Sequence, residues 1–303
     1  MLKESFNQIT NKLANSSILE PMEKSINEKE EIKETRETTW DKHRIEGIHS
    51  LMLDRVVNIE VFTPPFFKSS SQPLPVLILN DGQDSETMNL LDILNKLQKE
   101  DLIQPFIVAG VFCGDRIQEY GVASKPDYKK RGSRAKAYSR FVIEHLLPTL
   151  LHRFRIDLNH PQNAIAGYSM GGLSALDIAW NHPEYFPRVG AFSGSFWWRK
   201  RALDQGYTEH DRIIHQLIRK SRLRKGMKFW FMAGTKDETA DRNKNGIIDA
   251  IDDTLDLVAE LIKLGYKPYY DVVYHEVKNG KHDVPTWGKA MPEFLKWAFG
   301  KPL

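Results

Sequence analysis

Residues 165–172 read IAGYSMGG, an apolar run that leads into the pattern Gly-x-Ser-x-Gly and then into a helical pattern. A strand-to-helix turn of this kind holds its central residue, Ser169, in a strained conformation that exposes the hydroxyl. The small residues Gly167 and Gly171 let the strand and the helix approach closely. The free N–H groups of the helix point at the place where a tetrahedral oxyanion would form. The stretch predicts a nucleophilic serine; the alternative is a glycine-rich turn with an inert serine.

A serine hydroxyl is a poor nucleophile without a base, so a histidine and a carboxylate are expected downstream. We predict His282 as the base, because it follows the last predicted strand and precedes a C-terminal helix. The carboxylate should follow the strand predicted at 229–233, where Asp237 and Glu238 stand side by side. The spacing of Asp237 from the strand favours it, and Glu238 stays open. The order serine, acid, histidine is that of α/β-hydrolases.

Two backbone N–H groups are the predicted oxyanion hole. Met170 directly follows the nucleophile, at the start of the predicted helix. Gln83 lies in the loop after the strand predicted at 75–80. Such donors stabilise the charge that develops on the carbonyl oxygen during acyl transfer.

Short apolar runs alternate with helical patterns along the chain. Two opening runs, at 44–53 and 55–62, are rich in Ile and Val and predict a pair of strands. The later runs have the length of buried strands, and helical patterns separate them. We therefore predict an α/β fold with a central, mostly parallel twisted sheet flanked by helices. The later strands are predicted at 76–79, 107–112, 164–167, 189–192, 229–233 and 269–274.

The composition is that of an ordinary globular protein, with 303 residues, 41% hydrophobic and 27% charged. A formal net charge of +3 does not indicate a nucleic-acid partner, and no apolar run is long enough to span a membrane. Cys113 is the single cysteine, and the sequence does not begin with the apolar stretch of a secretory signal. We expect a soluble, cytoplasmic protein without a membrane or nucleic-acid partner. Residues 1–40 are predicted as a polar extension and 41–303 as one hydrolase domain.

These motifs together resemble the Putative esterase family of α/β-hydrolases. The family includes enterochelin, feruloyl and acetylxylan esterases, S-formylglutathione hydrolase and the mycolyltransferases. The resemblance covers about residues 44–299 and is greatest to the enterochelin esterase-like branch. It implies the α/β-hydrolase fold and a serine-based reaction on esters. The residues that carry it lie at 79–83, 115–116, 119–121, 167–172, 193–198 and 280–283.

An acidic insert that departs from the family pattern reads DRNKNGIIDAIDD at residues 241–253. Oxygen-bearing side chains recur along it and Gly246 permits a sharp turn, as in EF-hand or dockerin-type calcium loops. We predict a structural calcium ion that pins the loop carrying Asp237; the alternative is an acidic turn that caps the helix beginning near Asp253. No cofactor is expected for catalysis. The predicted ligands are Asp241, Asn243, Asn245, the carbonyl of Ile247, Asp249 and Asp252.

Two groups of side chains follow other predicted strand ends. Arg116, Glu119 and Tyr120 are predicted either to line the pocket or to hold their own loop through an internal ion pair. Phe196, Trp197 and Trp198 are predicted either as an aromatic wall of the pocket or as core residues.

The predicted function is ester hydrolysis. Ser169 attacks the carbonyl, His282 transfers the proton to the leaving alcohol, Asp237 orients the imidazole, and water cleaves the acyl-enzyme. The expected substrate is a small-molecule ester, including siderophore lactones. The alternative is the same fold used for acyl transfer, or for binding without catalysis.

Overall fold

An eight-stranded sheet forms the centre of the computed structural model, which describes residues 38–301. The predicted N-terminal extension therefore lies outside the described residues, apart from its last three positions. The strands are β1 (Asp41–Ser50), β2 (Arg55–Thr63), β3 (Val76–Asn80), β4 (Ile107–Val111), β5 (Ala164–Tyr168), β6 (Arg188–Phe192), β7 (Lys228–Lys236) and β8 (Val272–Lys281).

Helices connect the strands and cover both faces of the sheet. They are α1 (Leu90–Lys99), α2 (Arg116–Glu119), α3 (Ala135–Phe141), α4 (Leu147–Phe154), α5 (Met170–Asn181), α6 (Ile213–Arg219), α7 (Asp249–Leu264) and α8 (Val284–Phe299). A π-helical segment, Val142–Leu146, joins α3 to α4, and a 3₁₀ turn, Gly82–Asp84, follows β3. Within residues 38–301, each helix is too short or too polar to cross a bilayer.

The strand order is β1-β2-β4-β3-β5-β6-β7-β8. β2 runs antiparallel to β1 and β4, and the neighbouring strands from β4 to β8 are parallel. The prediction of a mostly parallel sheet is confirmed.

Both predicted bounds of β8, 269 and 274, are too early, since the strand spans Val272–Lys281. The strand begins at Val272, because Tyr269 has a φ of 64° and residues 267–272 form a turn closed by hydrogen bonds to the carbonyl of Lys267. Tyr269 and Tyr270 are exposed. Aromatic residues are typical of strands, but here their apolar character does not indicate burial.

Side chains alternate across the sheet, since successive residues of a strand point to opposite faces. In β3, Val76 and Ile78 join the core beneath α3 to α5 and α7, whereas Leu77 and Leu79 join the core beneath α1 and α8. Every residue of β3 is buried, as expected for a strand covered on both faces.

The parallel strands end at one edge of the sheet. The residues that directly follow β3, β5, β6, β7 and β8 therefore meet there, as loops do at the carboxyl edge of α/β sheets. This edge collects the predicted nucleophile, acid, base and oxyanion loop, although they are far apart in the sequence.

Candidate active site

The turn between β5 and α5 has the geometry that the sequence predicts. Ser169 is half-buried with φ 54° and ψ −122°, a strained conformation for a residue with a side chain. Its N–H donates to the carbonyl of Phe192 at 2.9 Å. A Cβ on Gly167 would lie 2.6 Å from the backbone of Gly171, so the close approach requires glycine.

Of the two predicted oxyanion donors, Met170 lines the pocket and Gln83 does not. Met170 lines the same pocket as Ser169 and is the first residue of α5, so its N–H has no acceptor within that helix. Gln83 lies in the 3₁₀ turn after β3 with an exposed side chain, and it is not among the pocket-lining residues of the described chain. Its carboxamide bridges Asp81 Oδ1 and the N–H of Cys113, each at 3.2 Å.

Asp237 and His282 come from the ends of β7 and β8. Asp237 Oδ2 accepts from the N–H of Gly234 at 3.1 Å, and Oδ1 lies 4.0 Å from His282 Nδ1. Within residues 38–301 this buried Oδ1 has no hydrogen-bond partner. A separation of 4.0 Å is too long for a hydrogen bond, but such contacts commonly shorten when substrate binds. The imidazole is the group placed to satisfy Oδ1.

The electrostatics at His282 favour the neutral ring. Burial lowers the pKa of His282 below its ordinary value, and the positive charge of Arg116 lowers it further. The carboxylate of Asp237 acts in the opposite direction. A neutral imidazole is the form that can accept a proton from a serine hydroxyl.

An aromatic side chain fixes the histidine loop. Trp287 stacks on Tyr168 with ring centroids 4.8 Å apart, and its ring meets the imidazole of His282 edge to face at 5.2 Å. The Trp287 Nε1–H donates to Ser193 Oγ at 3.0 Å. The tryptophan therefore ties the base to the ends of β5 and β6.

Glu238, the other candidate acid, also lines the pocket and is half-buried. Burial raises the pKa of Glu238, and the nearby Asp249 raises it further. The backbone of Ala250, near the start of α7, acts on its carboxylate in the opposite direction and lowers its pKa. Asp237 is thus the carboxylate that faces the histidine, while Glu238 belongs to the pocket wall.

Arg116 fulfils both of its predicted alternatives. It lines the pocket, and its guanidinium donates to Asp81 Oδ1 and Oδ2 at 3.0 and 3.1 Å. The same group donates to the carbonyl of Tyr168 at 3.0 Å. The loop after β3 is therefore held against the residue that precedes the nucleophile.

The aromatic residues after β6 divide between the two predicted roles. Trp197 lines the pocket, with the guanidinium of Arg131 4.9 Å from its ring centroid. Phe196 and Trp198 are buried in the core. One side chain of the three therefore forms an aromatic wall.

These groups surround a single pocket of about 360 Å³. It has room for a small ligand. The lining residues are Arg116, Arg131, Ser169, Met170, Ser193, Gly194, Ser195, Trp197, Asp237, Glu238, Ala250 and His282.

Sequence reasoning did not identify Ser195 as part of the site. Its hydroxyl oxygen lies 3.3 Å from Ser169 Oγ. The available signal was positional, because Ser195 follows the end of β6, at the sheet edge where the other site residues meet.

The predicted calcium loop forms a series of tight turns. Asp241 accepts from the N–H groups of Asn245 and Gly246 at 3.1 and 2.9 Å, and Asn243 Nδ2 donates to Asp252 Oδ2 at 2.7 Å. Four predicted ligand side chains thus lie together: Asp241, Asn243, Asn245 and Asp252.

The two other predicted calcium ligands, Asp249 and Ile247, have different hydrogen-bond partners. Asp249 turns to Arg242, accepting from its N–H at 2.9 Å and pairing with its guanidinium at 3.2 Å. Ile247 donates its N–H to Asn245 Oδ1 at 2.8 Å. In the described residues, no three His, Cys, Asp or Glu side chains converge as a metal site, so a cation here would depend on amide and carbonyl oxygens as well.

Solved structures share this fold. A ferulic acid esterase aligns with a TM-score of 0.65 and 16% identity, covering 86% of this chain and 98% of its own. The enterobactin esterase from Shigella flexneri aligns with a TM-score of 0.67 and 19% identity, and the alignment covers 85% of this chain and 58% of that protein. The predicted α/β-hydrolase fold is confirmed.

Sequence comparison places the chain in a family. An endo-1,4-beta-xylanase/feruloyl esterase from Xylanibacter ruminicola is 28% identical over 42% of this chain and 17% of its own. The chain spans 58% and 17% of the length of two curated relatives that it matches. The family model described as "Putative esterase" matches residues 50–298. Because that match covers most of the chain, the protein belongs to the Putative esterase family, as its motifs predicted.

Proposed function

We propose that the protein hydrolyses carboxylic esters through Ser169, His282 and Asp237. The observation that carries the proposal is their convergence: three residues from the ends of β5, β7 and β8 line one pocket, and the orphaned Asp237 Oδ1 faces His282 Nδ1. A strained serine, a neutral imidazole and a buried carboxylate are the parts of a serine hydrolase.

In the proposed reaction, Ser169 Oγ attacks the ester carbonyl while His282 takes its proton. The N–H of Met170 stabilises the oxyanion from the pocket wall, and the N–H of Gln83, in the turn after β3, is the proposed second donor. His282 then protonates the leaving alcohol, and an acyl-enzyme forms on Ser169. Water attacks this ester with His282 again as the base, and the carboxylic acid leaves.

The proposed substrate is a small or siderophore-like ester. A pocket of about 360 Å³ is at the small end of ligand sites. The ring of Trp197 offers a face for an aromatic or apolar acyl group. The guanidinium groups of Arg116 and Arg131, which pair with Asp81 and Asp127, also line the pocket. Similarity to proteins named ferulic acid esterase and enterobactin esterase supports this substrate class.

Labelling with a fluorophosphonate tests the proposal. The wild-type protein is expected to gain one covalent adduct, mapped to Ser169 by peptide mass spectrometry, and to hydrolyse p-nitrophenyl esters with a preference for short acyl chains. Ser169→Ala is expected to take up no label. Wild-type protein that neither labels nor turns over any ester of the series would indicate the binding alternative.

The calcium site remains a prediction with its own test. Chelator-treated protein should release or absorb heat when titrated with Ca²⁺ in a calorimeter, and its melting temperature should rise, because a ligand that binds only the folded state stabilises it by about 2.7 kcal/mol at 100 times its Kd. Asp252→Ala should remove both responses, and Mg²⁺ serves as the comparison cation. No heat and no melting shift in the wild type would refute the prediction.

A further inference from the structure

The turn after β6, residues 193–195, is hydrogen-bonded to the backbone of the nucleophile. The N–H of Ser195 donates to the carbonyl of Ser169 at 3.0 Å, while Ser169 donates its own N–H to Phe192 at 2.9 Å. At the other end of the turn, the N–H of Ser193 donates to the carbonyl of Met232 at 2.7 Å. These backbone hydrogen bonds therefore fix the position of the turn relative to the nucleophile.

The two hydroxyls of this turn have different partners. Ser193 Oγ accepts from Trp287 Nε1 at 3.0 Å and lies 3.9 Å from the sulfur of Met232. Ser195 Oγ instead lies 3.3 Å from Ser169 Oγ, and Ser195 is only 2% exposed. Of the two serines, Ser195 is the one that reaches the nucleophile.

The position of Ser195 is rigid. A Cβ on Gly194 would lie 2.5 Å from the ring of Phe196, so the turn packs directly against a core side chain. The carbonyl of Ser195 accepts from the N–H of Trp198 at 3.2 Å, and Phe196 and Trp198 are both buried. The Ser195 hydroxyl is therefore carried on a backbone that these contacts hold in place, and a group placed in this way needs little reorganisation during a reaction.

We propose that Ser195 is a further catalytic residue, which donates a hydrogen bond to Ser169 Oγ whenever that atom has given up its proton. The inference rests on the proposed function. Ser169 has one proton, and in the attacking step that proton passes to His282, so Ser169 cannot donate to Ser195. The hydrogen bond between the two serines must then run from Ser195 to Ser169.

This bond is strongest at the points of the cycle where Ser169 Oγ carries negative charge. As the bond from Oγ to the carbonyl carbon forms, the proton of Ser169 moves to His282. In deacylation the same bond breaks, its electron pair stays on Oγ, and the proton returns from His282. Ser195 keeps its own proton throughout and stabilises Oγ in both directions.

Ser195→Ala tests the proposal. We expect kcat for p-nitrophenyl acetate to fall by about 10-fold to 100-fold with KM within about twofold, since hydrogen bonds to charged groups contribute about 1.5–3 kcal/mol. The rate of fluorophosphonate labelling should fall by a similar factor. The acid limb of the pH profile should not move, because Ser195 does not titrate. Ser195→Thr, which keeps the hydroxyl, should retain more activity than Ser195→Ala.

Controls separate this inference from the function on which it rests. Ser139→Ala removes the hydroxyl of a buried serine in α3 and should leave kcat unchanged. If Ser169→Ala is inactive but Ser195→Ala keeps wild-type kcat and labelling rates, the role of Ser195 is refuted and the proposed function stands. Equal losses in Ser195→Thr and Ser195→Ala would assign the effect to packing and refute it too. Activity retained in Ser169→Ala would overturn the proposed function itself.

Discussion

Ser169→Ala is expected to lower kcat/KM for p-nitrophenyl acetate by about 10⁴-fold or more. Removing the nucleophile of a serine hydrolase leaves only the residual catalysis that binding and the oxyanion hole supply. The pocket, Met170 and His282 would remain in place, because alanine occupies less space than serine. The measurement is steady-state hydrolysis, with the melting temperature of each protein recorded beside it.

The matched control is Ser174→Ala, which removes the hydroxyl of a buried serine within α5, the helix that begins at the nucleophile. This variant should keep wild-type turnover. If Ser169→Ala hydrolysed the ester at a rate near that of the wild type, a different group would have to be the nucleophile, and the triad would have no role in the reaction.

The positions of the site residues were predictable because each follows the carboxyl end of a strand. Apolar runs and the Gly-x-Ser-x-Gly pattern locate Ser169 and His282, and the parallel order of β5 to β8 brings them to one edge. The strand pattern in the sequence is therefore enough to predict which loops meet at this edge. That prediction requires no knowledge of the side-chain contacts.

The directions of side chains within those loops were not predictable in the same way. Asp237 and Glu238 are neighbours, and both line the pocket. The choice between them depends on the irregular end of β7, where the pairing with β8 shifts between Gly234 and Lys236 and a Cβ on Gly234 would lie 2.4 Å from the carbonyl oxygen of Gly280. Such a contact between two strand ends is a tertiary feature that no local pattern reports. The contact of Ser195 with Ser169 was missed for the same reason.

Asp237→Ala is expected to lower kcat by about 10³-fold or more, and Glu238→Ala by less than about 10-fold. An aspartate that holds the catalytic imidazole fixes its tautomer and stabilises its charged form, and losing it costs up to about 10⁴-fold in serine proteases. Asp237 Oδ1 faces His282 Nδ1, whereas Glu238 lines the pocket wall and the backbone of Ala250 acts on its carboxylate. Kinetics of both variants and of Asp237→Asn, which keeps the side-chain shape, make the comparison.

The pH profile gives an independent readout of the same assignment. Activity requires neutral His282, so the rate rises with pH through the pKa of that imidazole. The negative charge of Asp237 raises this pKa against the lowering effect of burial. Removing the charge lowers the pKa further, so the acid limb of the residual activity in Asp237→Asn should move to lower pH. Glu238→Gln should leave the limb in place.

Opposite results would exchange the roles of the two acids. A loss in Glu238→Ala equal to or greater than that in Asp237→Ala, or an acid limb that moves only in Glu238→Gln, would contradict the assignment of Asp237.

The physical basis of the expectation is the unpaired oxygen of Asp237. A buried carboxylate oxygen without a partner is costly to the fold, and among the described residues Asp237 Oδ1 is such an atom, directed at the imidazole. A hydrogen bond from His282 would offset this cost, and it is the arrangement that catalysis requires.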